Sequence, residues 1–102
     1  MKSKFEIWLE GVNEKRRQYW ETTFNNRPYT NLIIERGNKY IKLMDGTCVW
    51  AFVSMVDGNV KGSPIVKGDL LKPASWRTPA KHSRGNIFEG TDKWTFYGPN
   101  YL

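Results

Sequence analysis

The run Thr47 to Val56, TCVWAFVSMV, is apolar on both of its alternating sides and is bracketed by Asp45-Gly46 and Asp57-Gly58. Asp-Gly between such runs is a strong hairpin signal, because both residues accept the positive φ that a two-residue turn demands. A strand that is apolar on both faces must be covered on both. The sequence therefore calls for an antiparallel sheet with this strand in its middle. Strict alternation puts Cys48, Trp50, Phe52 and Val56 on one side and Val49, Ala51, Val53 and Met55 on the other.

Around that strand the period-two pattern continues. Thr30 to Glu35 is a short run, Gly37-Asn38 a turn signal, and Lys39 to Met44 the next strand. The return strand runs through Ile65 to Leu71 after an interruption at Gly62 to Pro64, and Trp94 to Tyr97 reads as a closing edge strand. Gly98-Pro99 breaks that last strand, and Tyr101-Leu102 is expected to tuck back.

Ahead of the sheet, Ser3 with Glu6 three residues on is a capping box. Behind it Phe5, Trp8, Leu9, Val12, Tyr19 and Trp20 recur at helical spacing, which predicts an amphipathic helix over about 4–24. Glu14 and Arg17 are placed to pair on its outer side. Gly11 weakens the helix by about 1 kcal/mol relative to Ala. Arg16 falls inside the apolar stripe, and the expectation is a stem lying along the core with its guanidinium at the edge. Asn25-Asn26 and Arg27-Pro28 stop the helix.

The chain then reads as one α+β domain over 1–102. One N-terminal amphipathic helix packs on a small antiparallel sheet, a meander over about 30–71 or a partly closed barrel, with a Pro-rich basic loop over 72–88 and a C-terminal strand and tail over 94–102.

That loop concentrates the unusual residues. Pro73 and Pro79 fix φ and remove donors, so neither a continuous helix nor a central strand runs through it. Trp76, Arg77, Lys81, His82 and Arg84 lie within nine residues, with Lys72 just before them and the turn-forming pair Gly85-Asn86 just after. The net charge of +6 is uneven. Residues 61–84 hold six Lys/Arg against one Asp, while residues 1–60 hold nine against seven and residues 85–102 one against two. The basic excess therefore belongs to this stretch, and a local basic surface suits phosphates or an acidic protein face.

Catalytic chemistry finds little support. His82 is the only His and Cys48 the only Cys, so neither a metal set nor a disulfide can be assembled from them. Neither a P-loop nor a dinucleotide glycine fingerprint is present. The expectation is a non-enzyme without cofactor or metal. No apolar run reaches the length of a membrane span or a signal-peptide core, and one thiol suits a reducing compartment. The reading is a soluble protein of the cytoplasm with no membrane partner.

The run LLKPASWRTPAKHSRGNIF, with its preceding helix and hairpins and the final GPNYL, resembles a family of short proteins encoded by tailed bacteriophages. Their shared pattern is K-x-A-S-W-K-x-P-A-K-H-x-R-G-N-I-F. Lys72, Ala74, Ser75, Trp76, Pro79, Ala80, Lys81, His82, Arg84, Gly85, Asn86, Ile87 and Phe88 match it. Arg77 stands where Lys is common, and the connection from Asp57 to Gly68 is longer than usual. The resemblance implies a phage origin, a host-cytoplasmic setting and a fold of this kind, and it implies no chemistry.

Two binding readings remain. Nucleic-acid binders combine Lys and Arg for phosphates with exposed aromatics for bases, and Lys72, Trp76, Arg77, Lys81, His82 and Arg84 have that composition. The same surface, or Trp8 and Trp20, would also suit an effector that grips an acidic face of a host or phage protein. Against both stands a purely architectural reading, in which Trp76 anchors the loop to the core and the cations cap carbonyls or pair with Asp69, Glu89 or Asp92.

Overall fold

The computed structural model describes residues 2–24 and 28–99. Helix α1 spans Lys4–Thr23 and starts as the capping box requires. The Glu6 amide donates to the Ser3 hydroxyl at 3.1 Å, and the Glu6 carboxylate accepts from the Ser3 amide at 3.4 Å. Phe24 closes the helix by donating its amide to the Trp20 carbonyl. The stop expected from Asn25 to Arg27 lies outside the described residues. On the exposed side Arg17 pairs with Glu14, as the spacing predicts, and also with Glu21.

The strands follow as β1 Ile33–Arg36, β2 Tyr40–Asp45, β3 Cys48–Ser54, β4 Gly58–Val60, β5 Ser63–Ile65, β6 Asp69–Pro73, β7 Pro79–Asn86, β8 Trp94–Thr95 and β9 Gly98–Pro99. Five form one antiparallel sheet in the order β1-β2-β3-β6-β7, with β4-β5 and β8-β9 as separate two-stranded ribbons. The architecture is thus a helix on an antiparallel sheet, α+β, and the sheet is open rather than closed into a barrel. As its doubly apolar pattern demands, β3 lies in the middle. Phe5, Leu9 and Val12 of α1 pack with Leu43, Trp50, Ala51, Val53 and Leu70 on one face. On the other face Phe52 and Leu71 are covered by Val60 and Ile65 of the β4-β5 ribbon.

The faces of β3 depart from strict alternation. Leu43 pairs with Ala51 but Met44 pairs with Val49, so Trp50 is the extra residue of a bulge. A bulge breaks the period of two locally. Trp50 consequently joins Ala51 and Val53 on the helix side, while Val49 goes with Phe52. The return strand also differs, since it divides into β5 and β6. Trp94–Thr95 pairs with Gly98–Pro99; the dipeptide expected to end that strand is its partner, and the ribbon stands apart from the main sheet. The expected tuck of Tyr101-Leu102 lies outside the described residues.

The Pro-rich loop is shorter than 72–88. Residues 79–86 form β7, and only Ala74 to Thr78 turns between β6 and β7. Proline is excluded from central strands but tolerated at the first residue of an edge strand. Pro79 holds that position, with β7 at the sheet edge. At its far end Gly85 has φ +99°, and a side chain there would run into the Thr91 backbone. Asn86 then ties the end down. Its amide donates to the Lys67 carbonyl at 2.9 Å and to Asp69 at 3.1 Å, and its oxygen accepts from the Phe88 amide at 2.9 Å.

Arg16 corrects the expectation of a guanidinium at the edge: the residue is 1% exposed. Its Nη1 donates to the Tyr29 hydroxyl at 2.8 Å, its Nη2 to Asp45 Oδ2 at 2.9 Å and its Nε to the Phe96 carbonyl at 3.3 Å. The guanidinium also lies 4.4 Å from the centre of the Phe96 ring. Acceptors converge on the stripe from three other segments, so the head can stay inside.

Candidate nucleic-acid interface

Lys42 on β2 faces Phe52 on β3, and Phe52 faces Leu71 on β6. Residues opposite one another in an antiparallel sheet share a face. Lys42 therefore stands on the side away from α1, where Ile41 and Leu43 on the same strand point the other way into the core.

The β6-β7 turn folds beside this row. The amides of Ala74 and Ser75 both donate to the Thr78 carbonyl, at 2.9 and 3.1 Å. The Ser75 hydroxyl accepts from the Thr78 amide at 3.2 Å and lies 2.7 Å from the Thr78 hydroxyl. A turn closed in this way holds its tip residues outward. Trp76 at the tip is 50% exposed, and the Lys42 ammonium sits 4.5 Å from its ring centre.

Next to Trp76, a groove of about 280 Å³ opens between Arg77 and the β1-β2 hairpin. Arg36, Lys39, Lys42 and Arg77 bring four cations to it against the single carboxylate of Glu35. Its apolar wall is Tyr40 and Phe52, whose rings meet edge to face at 6.1 Å. Cations around one exposed ring, Trp76, are the elements of a surface that takes up phosphates and unstacked bases.

The structure divides the residues singled out from the sequence. Trp76 and Arg77 belong to this face. Lys72 alternates with Leu71 and so lies on the helix side, where its ammonium donates to the Pro99 carbonyl at 2.8 Å. Burial, and after it the neighbouring Arg84 charge, push the Lys72 ammonium below the usual lysine range. Burial likewise lowers Arg84, whose guanidinium donates to the His82 carbonyl. Lys81 and His82 are exposed along β7. Charge on an edge strand also discourages strand addition by another chain.

Sequence reasoning missed Arg36, Lys39, Tyr40 and Lys42. Two of these cations flank the Gly37-Asn38 turn, which was legible as a turn. That it lies across the groove from Arg77 depends on the strand order. Among the described residues no cluster of His, Cys, Asp and Glu could hold a metal ion, and no helix is long and apolar enough to cross a membrane.

Compared with known proteins, residues 5–99 match a family described as a family of unknown function (DUF7717). Neither a curated protein nor a solved structure matches the chain.

Proposed function

The chain belongs to the DUF7717 family, and we propose that it is a small, non-enzymatic phage accessory protein that binds single-stranded nucleic acid in the host cytoplasm. The observation that carries this reading is the half-exposed Trp76 ring, held at the tip of a braced turn with Lys42 against it and Arg77 beside it. Stacking on such a ring needs an unpaired base, because duplex bases already stack on one another. Arg36 and Lys39 continue the basic surface along the groove, where a backbone leaving Trp76 would find its phosphate partners. The phage origin is supported by the match of Lys72 to Phe88 to the bacteriophage signature.

Fluorescence anisotropy of labelled oligonucleotides tests the reading. Wild type is expected to bind single strands more tightly than duplex, with affinity that falls as salt rises. Trp76→Ala should weaken binding about 5- to 150-fold, the range of one lost base stack. Lys42→Ala with Arg77→Ala should flatten the salt dependence by about 1.4 log–log units, about 0.7 for each lost contact to a single strand. Lys81→Ala with Arg84→Ala, on β7, should cost less than the Lys42/Arg77 pair. Absence of binding to every nucleic acid at low salt would sink the proposal. It would leave the same cations as a grip on an acidic protein face.

A further inference from the structure

A groove of about 760 Å³ lies elsewhere on the molecule, between α1 and the segment from Gly90 to Phe96. Its floor is Gly11. A glycine inside a helix costs about 1 kcal/mol relative to alanine, and it is usually there because a neighbour presses close or because φ is positive. Neither holds for Gly11: the backbone is helical, and a Cβ added there would meet no atom within 4 Å. The missing side chain leaves open space between Trp8 and Lys15.

The walls are braced. The indole N–H groups of Trp8 and Trp94 both donate to Asp92 Oδ2, each at 2.9 Å. Both indoles thus keep a hydrogen-bond partner while their faces line the groove. Exposed apolar residues border it, with Ile7 59% exposed at one end and Tyr19 at the other, where Tyr97 stands 6.3 Å from the Tyr19 ring. A fixed concavity rich in Trp and Tyr is where binding energy concentrates in protein interfaces.

The charge at the rim selects the occupant. Lys15 and Lys93 are exposed at the mouth, and the one carboxylate lining the groove, Asp92, is committed to the two indoles. The Arg16 charge is met by Asp45. The carboxylates of α1 are engaged away from the groove: Glu6 with the Ser3 cap, Glu10 with Lys2, and Glu14 and Glu21 with Arg17.

We propose that this groove receives a short acidic amphipathic segment of a partner protein. A Leu or Phe of that segment seats over Gly11 between the two indoles, and flanking Glu or Asp side chains meet Lys15 and Lys93. This site is independent of the nucleic-acid surface around Trp76.

The test is a titration of the full, isotopically labelled chain with short synthetic amphipathic peptides, read by NMR. The peptides share their apolar positions and carry Glu, Gln or Lys at the polar ones. The Glu series is expected to move the indole N–H resonances of Trp8 and Trp94 and to bind more tightly than the Gln series, with the Lys series weakest. Gly11→Leu should weaken binding about tenfold or more while the melting temperature holds or rises, because the variant fills open space and favours helix. Lys15→Glu with Lys93→Glu should reverse the order of the peptides. The proposal is overturned if the Lys series binds as well as the Glu series, if no peptide moves either indole, or if Gly11→Leu binds undiminished. It is equally overturned if the two resonances shift with protein concentration alone, which would assign the groove to a second copy of the chain.

Discussion

Arg16 joins four parts of the fold through one guanidinium: α1, Tyr29, the end of β2 at Asp45 and the Phe96 carbonyl, which also accepts from the Trp50 indole at 2.8 Å. Taking a cation out of water is costly unless acceptors and rings surround it. Arg16→Ala removes all of these contacts at once, opens a cavity and leaves the Tyr29 hydroxyl and the Phe96 carbonyl short of a donor, and is expected to destabilise the protein by about 3–5 kcal/mol. Asp45→Asn keeps an acceptor oxygen for Nη2 but leaves the buried guanidinium without its counter-charge, so it should cost about 1.5–3 kcal/mol, less than Arg16→Ala. Urea denaturation checks both, and an Arg16→Ala loss no larger than that of Asp45→Asn would refute the central role of the guanidinium. Trp76 is the opposite case. It is half exposed at a turn tip, so Trp76→Ala should leave stability within about 0.5 kcal/mol while affinity for single strands falls. Gly85 and Asn86 have structural roles that need no ligand: the positive φ and the close Thr91 backbone require glycine, and the Asn86 amide fastens the end of β7. From the sequence these two read as a turn, which is right in kind; their partners Lys67 and Asp69 were not legible because they lie at and just before the start of the preceding strand.

Among the elements, the β6-β7 hairpin matters most to the proposed function. Its prolines argue against a strand running through them, and both sit at strand ends, Pro73 closing β6 and Pro79 opening the edge strand β7. What they could not reveal was an edge strand starting directly at Pro79, since the ban on proline is relaxed where one side of a strand faces no neighbour. The turn between them is braced by Ser75, and the bracing sets the direction of Trp76. Ser75→Ala is expected to lower stability by about 1 kcal/mol or less, because the turn is exposed. It should still weaken oligonucleotide binding several-fold, since a looser turn must be ordered again on binding. Equal affinity of Ser75→Ala and wild type in the anisotropy assay would show that the turn contributes no preorganisation. The helix was the most legible element, because cap, period and charge pairs are all local. Its one inconsistent position, Arg16, marked the place where distant segments arrive.

At the scale of the whole molecule, two partly buried groups oppose each other in alkali. Burial pushes the Tyr29 hydroxyl above the usual tyrosine range, with the Arg16 cation pulling the other way. The folded chain therefore keeps this proton where the unfolded chain loses it. Its contribution is fully present below about pH 10 and is lost as pH rises through the folded value. Lys72 has the opposite sign: the folded chain releases its proton first, so stability rises from the lowered Lys72 value up to the ordinary lysine value. Urea midpoints followed from neutral to alkaline pH should fall less steeply in Tyr29→Phe than in wild type, and Lys72→Met should lose the rise. An unchanged alkaline limb in Tyr29→Phe would refute the assignment.

Periodicity, capping and turn chemistry act between near neighbours, so the sequence by itself determined the capped helix, the hairpin at Gly46 that leads into the central strand and the α+β class. Asp57-Gly58, read as a second hairpin signal, opens the separate β4-β5 ribbon instead, because β3 pairs with β6. Those same signals are silent on which strands become neighbours and where a bulge shifts the register. The tertiary structure alone decided that the sheet stays open, that Trp50 turns toward the helix and that Arg16 lies buried among acceptors from other segments. It also separated the basic stretch, sending Trp76 and Arg77 to the side of Lys42 and Lys72 to the side of the helix. Side chains close in sequence on a strand point to opposite faces, while residues far apart in the chain meet across the sheet. A surface is assembled from that second kind of neighbour.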